Sequence, residues 1–135
     1  MLSPKKTKFR KFQKGNIRSL NGNLNEMNLG RFAIQAKSSG RISAKVIETA
    51  RRTMTRKIKR SGKIFIKVFP DIAVSKKPIE VRMGKGKGAI DHWVCRVQKG
   101  TILFELTGIS VSLARQAALL ISNKVPIAIR FIKRL

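Results

Sequence analysis

Acid is scarce in this chain. Six Asp and Glu face 31 Lys and Arg, a formal net charge of +25 over 135 residues. So few acids leave most cations without an ion-pair partner, and self-repulsion destabilises a free globular protein of this charge. A dense polyanion relieves that repulsion, and nucleic acid is the commonest one. Cysteine is scarcer still. Cys95 stands alone, which excludes an intramolecular disulfide and a cysteine-built zinc site. His92 is the single histidine. Asp91, His92 and Cys95 are close in sequence, but on a strand positions 92 and 95 face opposite sides. That geometry denies the hydrogen-bond reach a Cys–His nucleophilic pair requires. The other acids, Glu26, Glu48, Asp71, Glu80 and Glu105, stand one to a segment. No paired carboxylate or metal cluster is therefore expected: the reading is no enzyme, no metal and no cofactor. Cys95 reads as a small core residue on the face of Trp93 and Val97, and His92 as a surface or RNA-contact residue. Long apolar runs are also missing. The longest, 117–121, falls far short of the roughly 18 residues of a membrane span.

What is present points to a folded domain. Hydrophobic residues make up 42%, too many for a disordered basic tail. The length suits one domain. The expected organisation is a basic arm over 1–28 and a single α+β domain over 29–135. In the arm Lys5, Lys6, Lys8, Arg10, Lys11, Lys14 and Arg18 all precede the first acid, Glu26, with Phe9 and Phe12 among them. Pro4, Gly15, Gly22 and five asparagines over 16–28 argue against a long helix. Three readings compete: a disordered tail, a strip that orders on RNA through phosphate contacts and aromatic packing, and an organelle targeting peptide. The arm lacks the Arg/Ser-rich amphipathic periodicity of a targeting peptide, which ranks that reading third.

Periodicity supplies the elements. A first strand is expected over 29–35, broken by Lys37, Ser38, Ser39 and Gly40. A helix follows over 44–61, with Ser43 as its N-cap and Gly62 past its end. On it Val46, Ile47, Ala50, Met54 and Ile58 share one arc. Lys45, Arg52, Arg56 and Lys59 lie opposite, flanked by Arg51 and Arg60. Glu48 is the single acid there, too little for ion pairing to explain the face, so a phosphate-facing ridge is expected. Strands are expected over 63–69, 72–75 and 79–83. A hairpin joins 91–98 to 101–107 through Lys99 and Gly100. A second helix spans 111–122, capped by Ser110, with Leu113, Ala114, Ala117, Leu120 and Ile121 inward. A last strand covers 127–132. The order argues for a mainly antiparallel sheet covered by two helices.

The chain centres on 82–88, Arg-Met-Gly-Lys-Gly-Lys-Gly. Gly84, Gly86 and Gly88 permit positive φ and close approach to another surface. In an extended finger Lys85 and Lys87 present two ammonium groups on one side, suited to a narrow polyanionic crevice. It is not a P-loop, since Ala89 follows Gly88 where a hydroxyl is needed, and its spacing is not the dinucleotide fingerprint. Taken alone, a solvated mobile loop is the simpler reading.

Several stretches resemble bacterial-type ribosomal protein sixteen of the large subunit. They are 1–12 (Met-Leu-Ser-Pro-Lys-Lys-Thr-Lys-Phe-Arg-Lys-Phe), 47–56 (Ile-Glu-Thr-Ala-Arg-Arg-Thr-Met-Thr-Arg), 62–71 (Gly-Lys-Ile-Phe-Ile-Lys-Val-Phe-Pro-Asp), 81–88 and 113–117 (Leu-Ala-Arg-Gln-Ala). They are collinear over nearly the whole chain. The resemblance implies an α/β-hammerhead-like α+β fold that binds large-subunit rRNA beside the groove for aminoacyl-tRNA and serves late subunit maturation. It implies that the 82–88 loop projects toward the peptidyl-transfer region and the A-site tRNA, a role falling on Arg82, Met83, Lys85 and Lys87. Phosphate contacts fall on Lys5, Lys6, Lys8, Arg10, Lys11, Arg51, Arg52 and Arg56. To these the charge pattern adds Lys14, Arg18, Lys59 and Arg60. Neighbouring ribosomal proteins are expected partners, and neither membrane insertion nor a homo-oligomer is expected. Residues 19–28 follow no family pattern. The Lys-, Ile- and Asn-rich composition, the family-like start at Met1 and the second helix favour an organelle-encoded mitochondrial copy without a presequence, with a plastid or a bacterium as alternatives. The rival function is a general basic nucleic-acid-binding protein outside the ribosome.

Overall fold

A computed structural model describes residues 2–17 and 26–134. Arg18 and residues 19–25 lie outside the described residues. Among the described residues the elements run β1 (Phe32–Ala36), β2 (Gly40–Ser43), α1 (Ala44–Ile58), β3 (Lys63–Ile66), β4 (Ile72–Lys76), β5 (Ala89–Val97), β6 (Ile102–Thr107), α2 (Val111–Ser122) and β7 (Ile129–Lys133). They form a four-stranded sheet in the order β3-β6-β1-β7 and a three-stranded sheet in the order β2-β5-β4. Every pairing is antiparallel, as the α+β reading expects. The two helices pack on each other and against strands of both sheets.

One core unites the layers. It takes Phe32 and Ile34 from β1, Ile42 from β2, Ile47, Ala50, Met54 and Ile58 from α1, and Cys95 and Val97 from β5. Phe104 and Leu106 of β6 and Ala114, Ala117 and Ile121 of α2 complete it. Of the α1 arc expected from 3.6-residue spacing, Ile47, Ala50, Met54 and Ile58 are buried, Val46 is partly buried, and Ala44 is added. In α2 the alanines and Ile121 are buried, but Leu120 is 41% exposed and Leu119 69%. Ala118 takes the inward place expected of Leu120. A helix packing closely on its neighbour favours a small residue there.

Both helices begin as expected. The Ser43 hydroxyl accepts from the Val46 N–H, and the Ser110 hydroxyl from the Leu113 N–H. The end of α1 differs. It stops at Ile58, and Lys59 and Arg60 take left-handed φ of 50° and 64°. Gly62 is occupied elsewhere. A Cβ on it would sit 2.4 Å from the Thr107 carbonyl oxygen and 2.6 Å from the Ile109 side chain. Its small size admits the close approach of the chain to the end of β6, so the left-handed turn falls on two basic residues instead.

Three strand expectations are corrected. Residues 91–98 and 101–107 do not form a hairpin, because β5 pairs with β2 and β4 while β6 pairs with β1 and β3. The Lys99–Gly100 turn is tied to β1: the Gly100 N–H donates to the Ala36 carbonyl at 2.8 Å, and the Ala36 N–H to the Thr101 carbonyl at 2.9 Å. The buried Gln35 amide donates to the Gly100 carbonyl at 2.5 Å. The chain thus turns a corner between sheets. Second, 79–83 is a turn rather than a strand, with the Val81 N–H donating to the Pro78 carbonyl. Its apolar alternation meets no core: Ile79 is 95% exposed and Met83 98%. Third, Gly40 opens strand β2 instead of ending order, which a four-residue strand with one fully buried residue does not announce.

Candidate nucleic-acid interface

The finger is the connection between β4 and β5, an antiparallel pair running from Ile72 with Val94 to Lys76 with Ala89, with a register shift between Val74 and Ser75. Its glycines divide the work. Gly84 and Gly86 hold φ of 94° and 83° with open space about them. Gly88 packs against backbone, where a Cβ would come 2.5 Å from the Lys76 carbonyl oxygen. Lys85 is also left-handed, at φ 56°. Three successive positive φ values curl the tip, so the extended finger with two lysines on one side is not what forms. The Lys77 ammonium donates to the Gly84 carbonyl and braces the curl. Arg82, Met83 and Lys85 remain exposed.

The arm lies against the three-stranded sheet. Arg41 Nη2 of β2 donates to the carbonyls of Lys14 and Gly15, each at 2.7 Å. Arg96 Nη2 of β5 donates to the Gln13 carbonyl at 3.3 Å. Leu2 packs on the core. Lys5, Lys6, Lys8, Arg10, Lys11 and Lys14 are exposed. Lys8 Nζ sits 5.6 Å from the centre of the Phe9 ring, itself 62% exposed. Sequence reasoning missed Arg41 and Arg96 as the residues that seat the arm. Each lies on a strand opposite the other in register, a pairing that only the sheet topology reveals.

The ridge on α1 is more ordered than its charge suggested. Glu48 accepts from Arg51 Nε at 2.9 Å and Nη2 at 2.7 Å, and from Arg52 Nε at 2.9 Å. Hydrogen bonds from Arg51 and then Arg52 hold its carboxyl down to about 2. One acid thus aligns two guanidiniums, and the ridge is not the wholly unpaired face expected. Arg51, Arg52, Thr55, Arg56, Lys59 and Arg60 surround a shallow hollow of about 330 Å³. Among the described residues, no ion pair forms to Arg56, Lys59 or Arg60. Cations at a helix C-terminus face its negative dipole end, which offsets part of their mutual repulsion.

Of the remaining acids, Glu105 is built into the fold and the others lie at the surface. Glu105 is fully buried. Burial pushes its carboxyl up, but N–H donors from Leu29 and Gly30, both at 2.7 Å, and from Asn28 outweigh that. With Lys67 Nζ at 3.3 Å they hold it below the ordinary carboxylate value. Asp91 contacts His92 Nδ1 at 2.8 Å, and that hydrogen bond lowers its carboxyl. Both lie at the surface beside a cleft also lined by Leu2, Lys45 and Trp93. Cys95 is buried, and burial pushes its thiol up to about 11, the opposite of a nucleophile's need. Among the described residues no group of His, Cys, Asp or Glu could hold a metal ion, and no helix is long and apolar enough to cross a membrane.

The candidate interface therefore has three parts, the arm, the α1 ridge and the finger, and the structure brings the arm and the finger into contact. Comparison with known proteins covers all three. The sequence profile described as "Ribosomal protein L16p/L10e" matches residues 4–132. "Large ribosomal subunit protein uL16m" of Prototheca wickerhamii is 56% identical over 132 residues, 98% of this chain and 98% of that protein. "Large ribosomal subunit protein uL16" of Thioalkalivibrio sulfidiphilus is 52% identical over 134 residues, 99% of this chain and 98% of that protein. A match that runs from the arm through the last strand, at identities this high, makes the chain a member of the ribosomal protein L16p/L10e family.

Proposed function

We propose that this chain, a structural constituent of the large ribosomal subunit and not an enzyme, clamps large-subunit rRNA and offers its finger to A-site tRNA. The arm over 1–28 serves as one rRNA-binding strip, through Lys5, Lys6, Lys8, Arg10, Lys11, Lys14 and Arg18. The domain over 29–135 adds the α1 ridge of Arg51, Arg52, Arg56, Lys59 and Arg60. Such contacts fix register and shape rather than read sequence. The loop of Arg82, Met83, Gly84, Lys85, Gly86, Lys87 and Gly88 is the tRNA-proximal part. The observation that carries this reading is the finger's freedom from the core. Met83 and Ile79 are almost fully exposed on a curled, cation-bearing loop whose tip packs on no core residue. Large-subunit rRNA and neighbouring ribosomal proteins are its partners. The mitochondrial ribosome is the proposed site, supported by the uL16m relative and the Lys-, Ile- and Asn-rich composition. Recovery of the protein with a bacterial or plastid large subunit instead would overturn that placement.

The test is A-site tRNA binding to large subunits carrying Arg82→Ala with Lys85→Ala. Subunits should assemble at normal yield and hold tRNA more weakly, with a shallower salt dependence because phosphate contacts are lost. Unchanged tRNA affinity would sink the finger's role. Sedimentation of the tagged protein through high salt, with and without RNase, checks the clamp. Co-migration with large-subunit rRNA should survive salt and vanish with RNase. Release at moderate salt would return the reading to a nonspecific polycation.

A further inference from the structure

One exposed cation of the finger is tied to the arm. Lys87 Nζ donates to the Phe12 carbonyl at 2.5 Å, and Lys11 Nζ donates to the Lys87 carbonyl at 2.8 Å. The exchange is reciprocal: each segment gives an ammonium and takes a carbonyl. Just beyond it the arm is held again, at Gln13 by Arg96 and at Lys14 and Gly15 by Arg41. Gly15, at φ 56°, presents its Cα to the Arg96 guanidinium, and a Cβ there would lie 3.4 Å from it. Lys87 also lines, with Phe12, Gln13, Lys14 and Arg41, the small hollow of about 210 Å³ between the arm and β4. Toward the protein, Gly88 fits the finger's base onto Lys76. Lys87 is thus fixed on both sides, while Lys85, two residues away, sits at the open tip.

We propose that Lys87 is a positioning residue: it latches the finger to the arm, so that seating of the arm on rRNA sets the posture of Arg82, Met83 and Lys85. This rests on the reading of the finger as the tRNA-proximal part. The electrostatics give the latch its direction. Lys11 and Lys87 repel each other, and the carbonyls between them offset that repulsion in part. Phosphates gathered by Lys5, Lys6, Lys8 and Arg10 screen what remains. Arm and finger are therefore held together in the free protein and more firmly when the arm lies on RNA, which strengthens the latch in a subunit whose rRNA is in place.

The latch is read by the distance between arm and finger, with no tRNA present. Nitroxide labels go on Gln13→Cys and Met83→Cys in the full-length protein with Cys95→Ala, and distances are measured by double electron–electron resonance. The parent should give one narrow distribution. Lys87→Ala should lose it and Lys87→Arg should restore it. Lys85→Ala, which removes the same charge, should leave it narrow. A broad parent distribution, an unchanged Lys87→Ala, or equal broadening by Lys85→Ala would each overturn the latch. If the latch distances behave as stated but Arg82→Ala with Lys85→Ala leaves tRNA binding untouched, the finger's function falls and the latch stands.

Discussion

All five residues of β1 are buried, whereas β5 begins with three exposed ones, Ala89, Ile90 and Asp91. Both are central strands of antiparallel sheets. The difference lies in what covers each sheet. The four-stranded sheet carries helices, and at Glu105 of β6 the chain at 28–30 closes over it. The three-stranded sheet contributes Ile42, Cys95 and Val97 to the core and packs β2 and β5 on α1, while the basic arm, held by side chains on carbonyls, lies against it as well. Burial stabilises the first sheet. The second depends in part on side-chain-to-carbonyl hydrogen bonds from Arg41 and Arg96 to the arm. In a chain with so few acids, carbonyl oxygens take the place of carboxylates as acceptors for Lys11, Arg41, Lys77, Lys87 and Arg96. Such acceptors hold cations without neutralising them, so these five side chains keep their charge.

The sharpest way to break this comparison is to remove one residue from each side. Glu105→Ala should cost about 3 kcal/mol or more, because it leaves one buried and two part-buried N–H groups and Lys67 without their carboxylate. Met83→Ala, at an almost fully exposed position, should stay within about 0.5 kcal/mol. Urea unfolding of the free protein measures both. Comparable losses would mean that the finger carries structural weight and that the division between the sheets is wrong.

A smaller effect separates two glycines within the finger. Gly88→Ala should cost about 2 kcal/mol, since its Cβ must push into the Lys76 carbonyl at the root of the hairpin. Gly84→Ala meets no atom and bears only the left-handed φ, about 1 kcal/mol. The two should also differ in character. Gly88→Ala should raise hydrogen exchange along β4 and β5, and Gly84→Ala should not. Equal exchange in both variants would show that the root is looser than the close contact implies.

Much of this architecture was legible in the residues. Ser43 and Ser110 named their helix starts, and the spacing of Ile47, Ala50, Met54 and Ile58 named the inner face of α1. The illegible parts share one cause: they depend on which distant strand lies alongside. The alternation of Ile79, Val81 and Met83 has the period of a strand, but among the described residues no strand pairs with it. The runs on either side of Gly100 look like a hairpin, but Gln35 and Ala36 of β1 claim the turn. Gly62 looks like a helix cap, but close approach to β6 claims it. The charge of the arm, ridge and finger was plain from composition. Their grouping was not, because Arg41, Arg96 and Lys87 act through main-chain carbonyls that carry no sequence signal.

The smallest effect tests whether one acid is enough to organise the ridge. Glu48 has a folded pKa near 2 against an ordinary value of 4.5. Its carboxylate therefore contributes stability that is fully present above about pH 4.5 and is lost as pH falls toward 2. Arg52 is 67% exposed in this pair, so water screens it, and the contribution should be about 1 kcal/mol or less. Glu48→Gln should be slightly less stable than the parent at pH 6 and match it near pH 2. For rRNA the sign reverses in part. The variant gains one net positive charge but frees Arg51 and Arg52 from the carboxylate that aligns them. If alignment matters, Glu48→Gln should bind nonspecific RNA at least as well as the parent and large-subunit rRNA less well. Equal gains on both RNAs would mean that the ridge acts as bulk charge, with the arm and the finger left to supply specificity.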